Sequence, residues 1–404
     1  MKDKADWLAY ILVVSMPLVS LLSIFKITEI NGLSLRPIDI LFLCSFYLWS
    51  LRIIKMGYIN KKLVYMIVCI CAYLFITLLG GLFTYENRFD AAKFARFMQT
   101  LLWGLFGISF INNEKRLNRL LANIITSGVI LAFSSIFIFF AFNDLHRIGG
   151  FISFAGGEES EQRGSYNEIG ALYALIISIF LWKFYTGLFR KLDLINLLII
   201  IFGLILVQSR SSLVAVALVI IFLLSFDILK LSAGKLDKKS ILMIICILLT
   251  IIVSLYLSQY LTINRLTDSF DPNASASSST AIRFYLWEKS FSLITEGIGT
   301  LFIGHGNALF MRELGSASSD NFYLDSVISV GLFGTVIILA IIFIPSISVW
   351  KAGHYSRNLC LGVLVSITVL TVSLTGNVIV DPMYGGISFL LLYSIYSVYY
   401  PIKN

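Results

Sequence analysis

Long apolar stretches separated by short polar segments make up most of the chain. Twelve stretches reach about the 17–25 residues that a helix needs to cross a bilayer, and none shows the strict alternation typical of a membrane β-strand. The pattern predicts an all-α polytopic membrane protein with about twelve transmembrane helices. The predicted spans are 7–25, 38–54, 63–83, 94–111, 120–142, 168–186, 192–208, 211–229, 241–261, 322–348, 358–376 and 385–400.

Composition supports this prediction. Of the 404 residues, 58% are hydrophobic and only 13% are charged, whereas a soluble protein carries about 25% charged residues. The first apolar stretch contains Pro17 and is not followed by a small-residue cleavage site, so we expect a span rather than a signal peptide. The net charge of +8 is dispersed over the connecting segments, which indicates no nucleic-acid partner.

Loop charge predicts the orientation of the chain, because cytoplasmic loops are enriched in Lys and Arg. With a cytoplasmic N-terminus, 19 of the 31 basic residues fall in predicted cytoplasmic segments. The pattern therefore predicts that both termini are cytoplasmic and that residues 1–404 form a single integral membrane domain.

The opposite side of the membrane differs in the kind of cation it carries. Among its basic residues, nine arginines outnumber three lysines, and the guanidinium group suits bidentate binding of phosphate or carboxylate. The two longer loops are also predicted here, at 143–167 and 262–321. The second contains AIRFYLWEKSFSLITEGI, whose spacing predicts an amphipathic helix on or near the membrane. We therefore expect the functional site on this outer side.

Two arginines have both a structural and a functional interpretation. Arg210, in QSRSSLVAV, lies between two apolar stretches with almost no loop, so it is either an interfacial anchor at a tight turn or an anion ligand. Arg283 lies on the predicted amphipathic helix with Trp287. That helix is either an ordinary interfacial helix or part of a surface that binds sugar or lipid phosphate.

The loop HRIGGFISFAGGEESEQRGSYNEIGAL supplies three further candidates for substrate binding. Arg147 and Arg163 bracket this loop, and Asn167 stands where the next span is predicted to begin. Asn167 could equally be the N-cap of that helix.

A third group of candidates precedes the predicted span 322–348. Asp320 is either the N-cap of that span or a general base that takes a proton from a hydroxyl nucleophile. Asn321 is a candidate for substrate binding, and His305, in GHG, is the rival base on the same side.

With these motifs, the chain resembles the O-antigen polymerase and O-antigen ligase superfamily of bacterial inner-membrane glycosyltransferases. The resemblance rests on the overall architecture and on short local features of the sequence. These features are QSRSSLVA, RFYLWEKS, FIGHGN, SDNFYLDSVISVGLFG and RGSYNEIGALYA.

The resemblance implies a substrate and a chemistry. The substrate would be a glycan linked to undecaprenyl pyrophosphate on the periplasmic face of the inner membrane, within membrane lipid. Arg210 and Arg283 would bind the pyrophosphate, and Arg147 and Arg163 would assist or hold glycan. A base would deprotonate the acceptor hydroxyl, with inversion of the linkage and without cofactor or metal. The family also implies a chain-length regulator protein as a possible partner.

The sequence leaves several activities open. Ligases of this superfamily typically have His where this chain has Asp320, which favours a polymerase that joins lipid-linked repeat units. A ligase that transfers glycan to lipid A-core remains an alternative, as does a wall-precursor polymerase of similar topology. A flippase for lipid-linked oligosaccharide is a further alternative, although the two halves of the chain show no convincing repeat.

Overall fold

The computed structural model describes most of the chain, with gaps. The described residues are 2–24, 27–30, 33–56, 61–83, 90–141, 159–231, 279–306, 319–351, 357–374, 376–381 and 383–399.

Helices account for almost all of the described secondary structure. In chain order they are α1 (Lys2–Ser20), α2 (Pro37–Met56), α3 (Lys61–Phe83), α4 (Ala91–Phe110), α5 (Glu114–Ala141), α6 (Glu159–Tyr185), α7 (Lys191–Val207), α8 (Arg210–Leu231), α9 (Ser279–Ile294), α10 (Ile298–Ile303), α11 (Phe322–Lys351), α12 (Arg357–Val372) and α13 (Tyr384–Tyr399). Two short 3-10 turns lie at Leu21–Ile24 and Val378–Val380.

One small β-hairpin departs from the all-α prediction. Strands β1 (Thr28–Ile30) and β2 (Leu33–Leu35) pair antiparallel, with Thr28 opposite Leu35. The hairpin leads into α2, whose first residue is Pro37, where a missing N–H costs nothing. The carboxylate of Asp39 accepts the backbone N–H of Arg36 at 2.7 Å, which fixes the start of the helix.

The helices support a multi-pass membrane protein. Five of them are long and apolar enough to cross a membrane, and shorter apolar helices accompany them. Each predicted span overlaps a helix, apart from 241–261, which lies outside the described residues. The number of twelve spans stays a prediction.

The bundle is centred on α13, which is buried along Tyr384–Tyr396 and packs most extensively against α4. Buried hydroxyl groups join neighbouring helices, as in the 2.8 Å contact between Ser178 and Thr368 and the 2.7 Å contact between Ser346 and Ser366. Such contacts are typical of helices that associate in lipid. The exposed surface carries large apolar side chains, which suits an apolar surrounding. Examples are Tyr47, Tyr65, Phe75, Phe133, Phe137 and Phe140.

Helix α11 is interrupted at Gly331, whose φ of 66° is outside the helical region. The segment after α10 binds at this interruption, because the backbone N–H groups of His305 and Gly306 donate to the carbonyls of Ile328 and Ser329 at 2.6 and 3.1 Å. A Cβ on Gly331 would lie 2.2 Å from the carbonyl of Phe302, so glycine is required for this approach. Backbone carbonyls at the interruption thereby find hydrogen-bond donors within the protein, as a membrane environment requires.

One predicted loop boundary changes, and one helix predicted within a loop is present. Helix α6 begins at Glu159, inside the predicted loop 143–167, so its first turns precede the apolar part of the sequence. Within the predicted loop 262–321, the expected amphipathic helix is present as α9. It buries Leu286, Ser290 and Ile294 along one face, while Phe284 and Tyr285 are exposed.

Close packing between α4 and α13 yields a testable prediction. A Cβ on Gly107 would lie 2.7 Å from the carbonyl oxygen of Leu390, whereas a Cβ on Gly299 would meet nothing within 4 Å. We expect Gly107→Ala to destabilise the protein by about 1–3 kcal/mol, because the two helices must separate. Thermal unfolding of the purified protein in detergent measures this. Gly299→Ala is the control, and equal unfolding temperatures for the two variants would contradict the packing.

Candidate functional site

The two residues Arg283 and Asp320, predicted independently as candidates, form an ion pair. Arg283 Nε donates to Asp320 Oδ2 at 3.2 Å. The Asp320 side chain is 49% exposed and the Arg283 side chain 24% exposed, so the pair lies at an accessible surface. The guanidinium has five N–H donors, of which this contact uses the one on Nε.

Asp320 is not the N-cap of α11, which was one of its two interpretations. The side-chain oxygen of Asn321 accepts the backbone N–H groups of Tyr323 and Leu324 at 3.0 and 3.2 Å, which is the geometry of an N-cap. Asp320 instead adopts a left-handed conformation, with φ of 58°. Asp and Asn are the residues after Gly that best tolerate this region. Asn321 is thus the N-cap residue of α11. The Asp320 carboxylate instead pairs with Arg283.

A buried carboxylate that the sequence analysis did not select holds this region in place. Asp325 is 4% exposed. Its Oδ1 accepts the backbone N–H and the hydroxyl of Ser319 at 2.9 and 2.5 Å, and its Oδ2 accepts Asn377 Nδ2 at 2.9 Å. Asp325 therefore fixes the residue that precedes Asp320. The sequence did contain a signal for Asp325. It is a carboxylate in the first turn of a predicted span, and ionisable residues are rare within membrane helices.

Helix α9 is fixed to the same position. Trp287 Nε1 donates to the carbonyl oxygen of Ser319 at 3.0 Å, one turn from Arg283. Trp287 thus orients the helix that presents Arg283 to Asp320.

His305 has a different environment from Asp320. It is 3% exposed, and its ring Nε2 lies 2.8 Å from the carbonyl oxygen of Leu293 and 3.8 Å from Glu296 Oε2. Together with its backbone bond to Ile328, these contacts tie α9 and α10 to α11. In this structure His305 is packed between helices, and it does not share the accessible position of Asp320.

Arg210 is the first residue of α8, at a tight turn as the sequence predicts. The turn consists of Gln208, in a left-handed conformation with φ of 53°, and the buried Ser209. Arg210 itself is half-buried. A Cβ on Gly170 of α6 would lie 2.4 Å from Ser209 Cβ, so this turn is packed closely against α6.

Asn167 lies well inside α6, so its interpretation as the cap of that helix is wrong. A Cβ on Gly376 would lie 3.7 Å from Asn167 Nδ2, which places Asn167 beside the segment that carries Asn377. Arg163 lies within α6. Arg147 lies outside the described residues.

A second group of charged residues adjoins the site, and the sequence analysis did not select it. Arg96 pairs with the carboxylate of Asp39, which also accepts Gln99 Nε2 at 2.9 Å. Burial raises the pKa of the Asp381 carboxyl, and the positive charge of Arg36, with a smaller effect of Arg96, opposes this. Thr100 Oγ1 donates to the carbonyl of Val380 at 3.2 Å and so links this group to the segment of Asn377.

The contacts connect the polar residues into one continuous region. The region runs from the turn of Arg210, past Gly170 and Asn167 of α6, to the segment of Asn377, and from there through Asp325 to Asp320. Its members come from segments far apart in the chain, which is why the sequence alone did not group them.

Comparison with known protein families gives a match for part of the chain. Residues 195–339 match the family model described as O-antigen ligase. This match, over part of the chain, supports the O-antigen ligase and polymerase superfamily. The recognition from sequence motifs is thereby confirmed, and members of this family are glycosyltransferase-like enzymes that act on lipid-linked glycans. No curated protein matches the chain significantly. The matched segment contains Arg210, Arg283 and Asp320.

The reassigned cap can be tested through stability. We expect Asn321→Ala to lower the free energy of unfolding by about 1 kcal/mol, because α11 loses its cap. Asp320→Asn should lower it by less, since a partly exposed ion pair contributes about 0–1 kcal/mol and Asn also tolerates the left-handed backbone. Denaturant unfolding in detergent measures both variants. A larger loss for Asp320→Asn than for Asn321→Ala would return the cap to Asp320.

Proposed function

We propose that this superfamily member is a surface-polysaccharide polymerase, which joins undecaprenyl-pyrophosphate-linked repeat units such as those of O-antigen. The observation that carries the proposal is the ion pair between Arg283 and Asp320, located within the matched segment. It combines a carboxylate that a hydroxyl group can reach with a cation suited to pyrophosphate.

The arginines would supply the binding of the leaving group. Arg210 and Arg283 would contact the pyrophosphate of the lipid-linked donor, because guanidinium groups form bidentate hydrogen bonds with phosphate oxygens. They would stabilise the charge that develops on the pyrophosphate as the sugar leaves. Arg147, Arg163 and Asn167 would hold glycan.

Asp320 would act as the general base. Its carboxylate accepts the proton of the acceptor hydroxyl while the hydroxyl oxygen attacks the anomeric carbon of the donor. The bond from that carbon to the pyrophosphate oxygen breaks, undecaprenyl pyrophosphate leaves, and the configuration of the linkage inverts. The leaving group is already phosphorylated, so the scheme requires neither nucleotide nor metal. The packed position of His305 supports Asp320 over His305 in this role.

Two observations favour the polymerase over the other activities. Ligases of the superfamily typically have His where this chain has Asp320, and here the position carries an accessible carboxylate. A flippase would be expected to place its polar residues near the membrane midplane. Among the described candidate residues, Asp320, Asn321 and Arg210 lie at helix ends.

The proposal also includes a location. The enzyme would lie in the bacterial inner membrane with both termini in the cytoplasm and the site facing the periplasm, where the lipid-linked glycan is displayed. A chain-length regulator protein would be its partner. At the opposite end of the bundle, Lys62 and Arg116 contact carbonyls of Tyr396 and Phe110 at 3.2 and 2.8 Å, as cations do at helix C-termini.

Reconstitution tests the activity directly. Purified protein in liposomes, supplied with the lipid-linked repeat unit, is expected to produce a ladder of oligomers on a gel without lipid A-core, because each repeat serves as the acceptor for another. Transfer that requires lipid A-core would establish a ligase instead. Movement of the glycan lipid between leaflets without new linkages would establish a flippase.

Conservative substitutions test the roles of the ion pair. We expect Asp320→Asn to slow polymerisation at least ~100-fold, because it removes the base. We expect Arg283→Lys to slow it by about tenfold or more, because it keeps the charge but loses the bidentate geometry. Initial rates of ladder formation at equal protein abundance provide the measurement. Arg119→Lys, at an exposed position on α5, is the matched control, and wild-type rates in all three variants would refute the assignment.

A further inference from the structure

An open cleft lies beside Asp325, the carboxylate that holds Ser319 next to Asp320. The cleft lies between α3, α4, the start of α11 and the segment before α13, and its volume of about 420 Å³ includes open solvent. Aromatic rings and a few polar groups line it together, among them Tyr73, Phe94, Phe97, Ser326, Ser329 and Asn377.

Asn377 carries a hydrogen-bond acceptor that the described residues do not satisfy. Its Nδ2 donates to Asp325 Oδ2 at 2.9 Å. The amide NH2 group is therefore the part of the side chain that faces Asp325, and the amide oxygen is left for another donor. The remaining atom, Oδ1, is buried and has no hydrogen-bond partner among the described residues. A buried acceptor without a donor is unfavourable, so a donor from a ligand would complete the site.

The lining indicates the chemical class of that ligand. A saccharide hydroxyl can donate to Asn377 and accept from a neighbouring serine hydroxyl, while the apolar face of a sugar ring can pack on Phe94 or Phe97. One carboxylate, Asp325, and one ammonium group, Lys93, both line the cleft, so its charge does not select a free anion.

The cleft and the ion pair share one support. Asp325 bonds to Asn377 through Oδ2 and to Ser319 through Oδ1, and Ser319 directly precedes Asp320. A ligand that binds at Asn377 is therefore held against the same carboxylate that positions the residue next to Asp320.

We propose that this cleft is a saccharide subsite in which Asn377 accepts a hydroxyl hydrogen bond from a sugar of the lipid-linked glycan. The assignment deepens the proposed glycosyl transfer and rests on it for the source of the sugar. Asn377 is a specificity-determining residue here, and Asp325 is the positioning residue that orients it.

Equilibrium binding tests the subsite without requiring catalysis. The probe is the radiolabelled oligosaccharide released by mild acid from the lipid-linked repeat unit of the cells that produce this protein. We expect Asn377→Leu and Ser326→Phe to raise its Kd at least tenfold, by removing the acceptor and by filling the cleft respectively. Ser225→Phe, at an exposed position of α8, is the control and should bind as wild type. Undecaprenyl phosphate, which lacks glycan, should bind equally to all four proteins.

A measurement on the wild-type protein tests the subsite without relying on the folding of variants. Lys93 lines the cleft and is half-buried, so saturating oligosaccharide should slow its acylation by an amine-reactive reagent at least fivefold. Lys191, exposed at the start of α7, should react at an unchanged rate. Peptide mass spectrometry measures both rates.

The outcomes separate this inference from the proposed function. Unchanged oligosaccharide affinity in folded Asn377→Leu and Ser326→Phe proteins, or unprotected Lys93, would overturn the subsite even if the ladder forms. If these variants weaken the binding of undecaprenyl phosphate but not that of the oligosaccharide, the subsite is also overturned. The cleft would then be assigned to the lipid phosphate. If the wild type binds the oligosaccharide and these variants do not, the subsite is supported. This holds even if the wild type forms no ladder and the proposed polymerase fails.

Discussion

The candidate site depends on one buried carboxylate. Asp325 joins the start of α11 to the segment before α13, through its bonds to Ser319 and Asn377. A buried charge is costly unless its hydrogen bonds are made, so this carboxylate constrains every group that satisfies it. Asp320 takes its position from this constraint, because it directly follows Ser319. The proposed base is accessible, yet its position is set from the interior of the bundle.

A second constraint positions the other half of the ion pair. Within a membrane protein the backbone must satisfy its own hydrogen bonds, and the interruption of α11 at Gly331 meets this requirement through the backbone of His305 and Gly306. The segment bound there holds α10 and, through the His305 ring, the end of α9 at Leu293. Helix α9 in turn carries Arg283. The motif GHG therefore supports the site by fixing a helix.

Several residues could be interpreted correctly from sequence because their signals are local. The tight turn at Arg210 follows from two apolar stretches with almost no residues between them, and the helix of Arg283 follows from its apolar spacing. The choice of cap between Asp320 and Asn321 could not be made in this way, because both side chains can accept from the first turn of α11. Backbone conformation decided it, since Asp320 is left-handed. The start of α6 at Glu159 was also missed, because its first turns are polar.

The sequence by itself determined the helical membrane character, the resemblance to the superfamily, and the tight turn and the helix at which Arg210 and Arg283 lie. Long apolar stretches and charge patterns act over neighbouring residues, so they can be read directly along the chain. Only the tertiary structure decided that Asn377 and Asp325, 52 positions apart, share a bond, and that a cleft opens beside them. Such contacts depend on how distant helix ends meet, and no local pattern specifies which ends become neighbours.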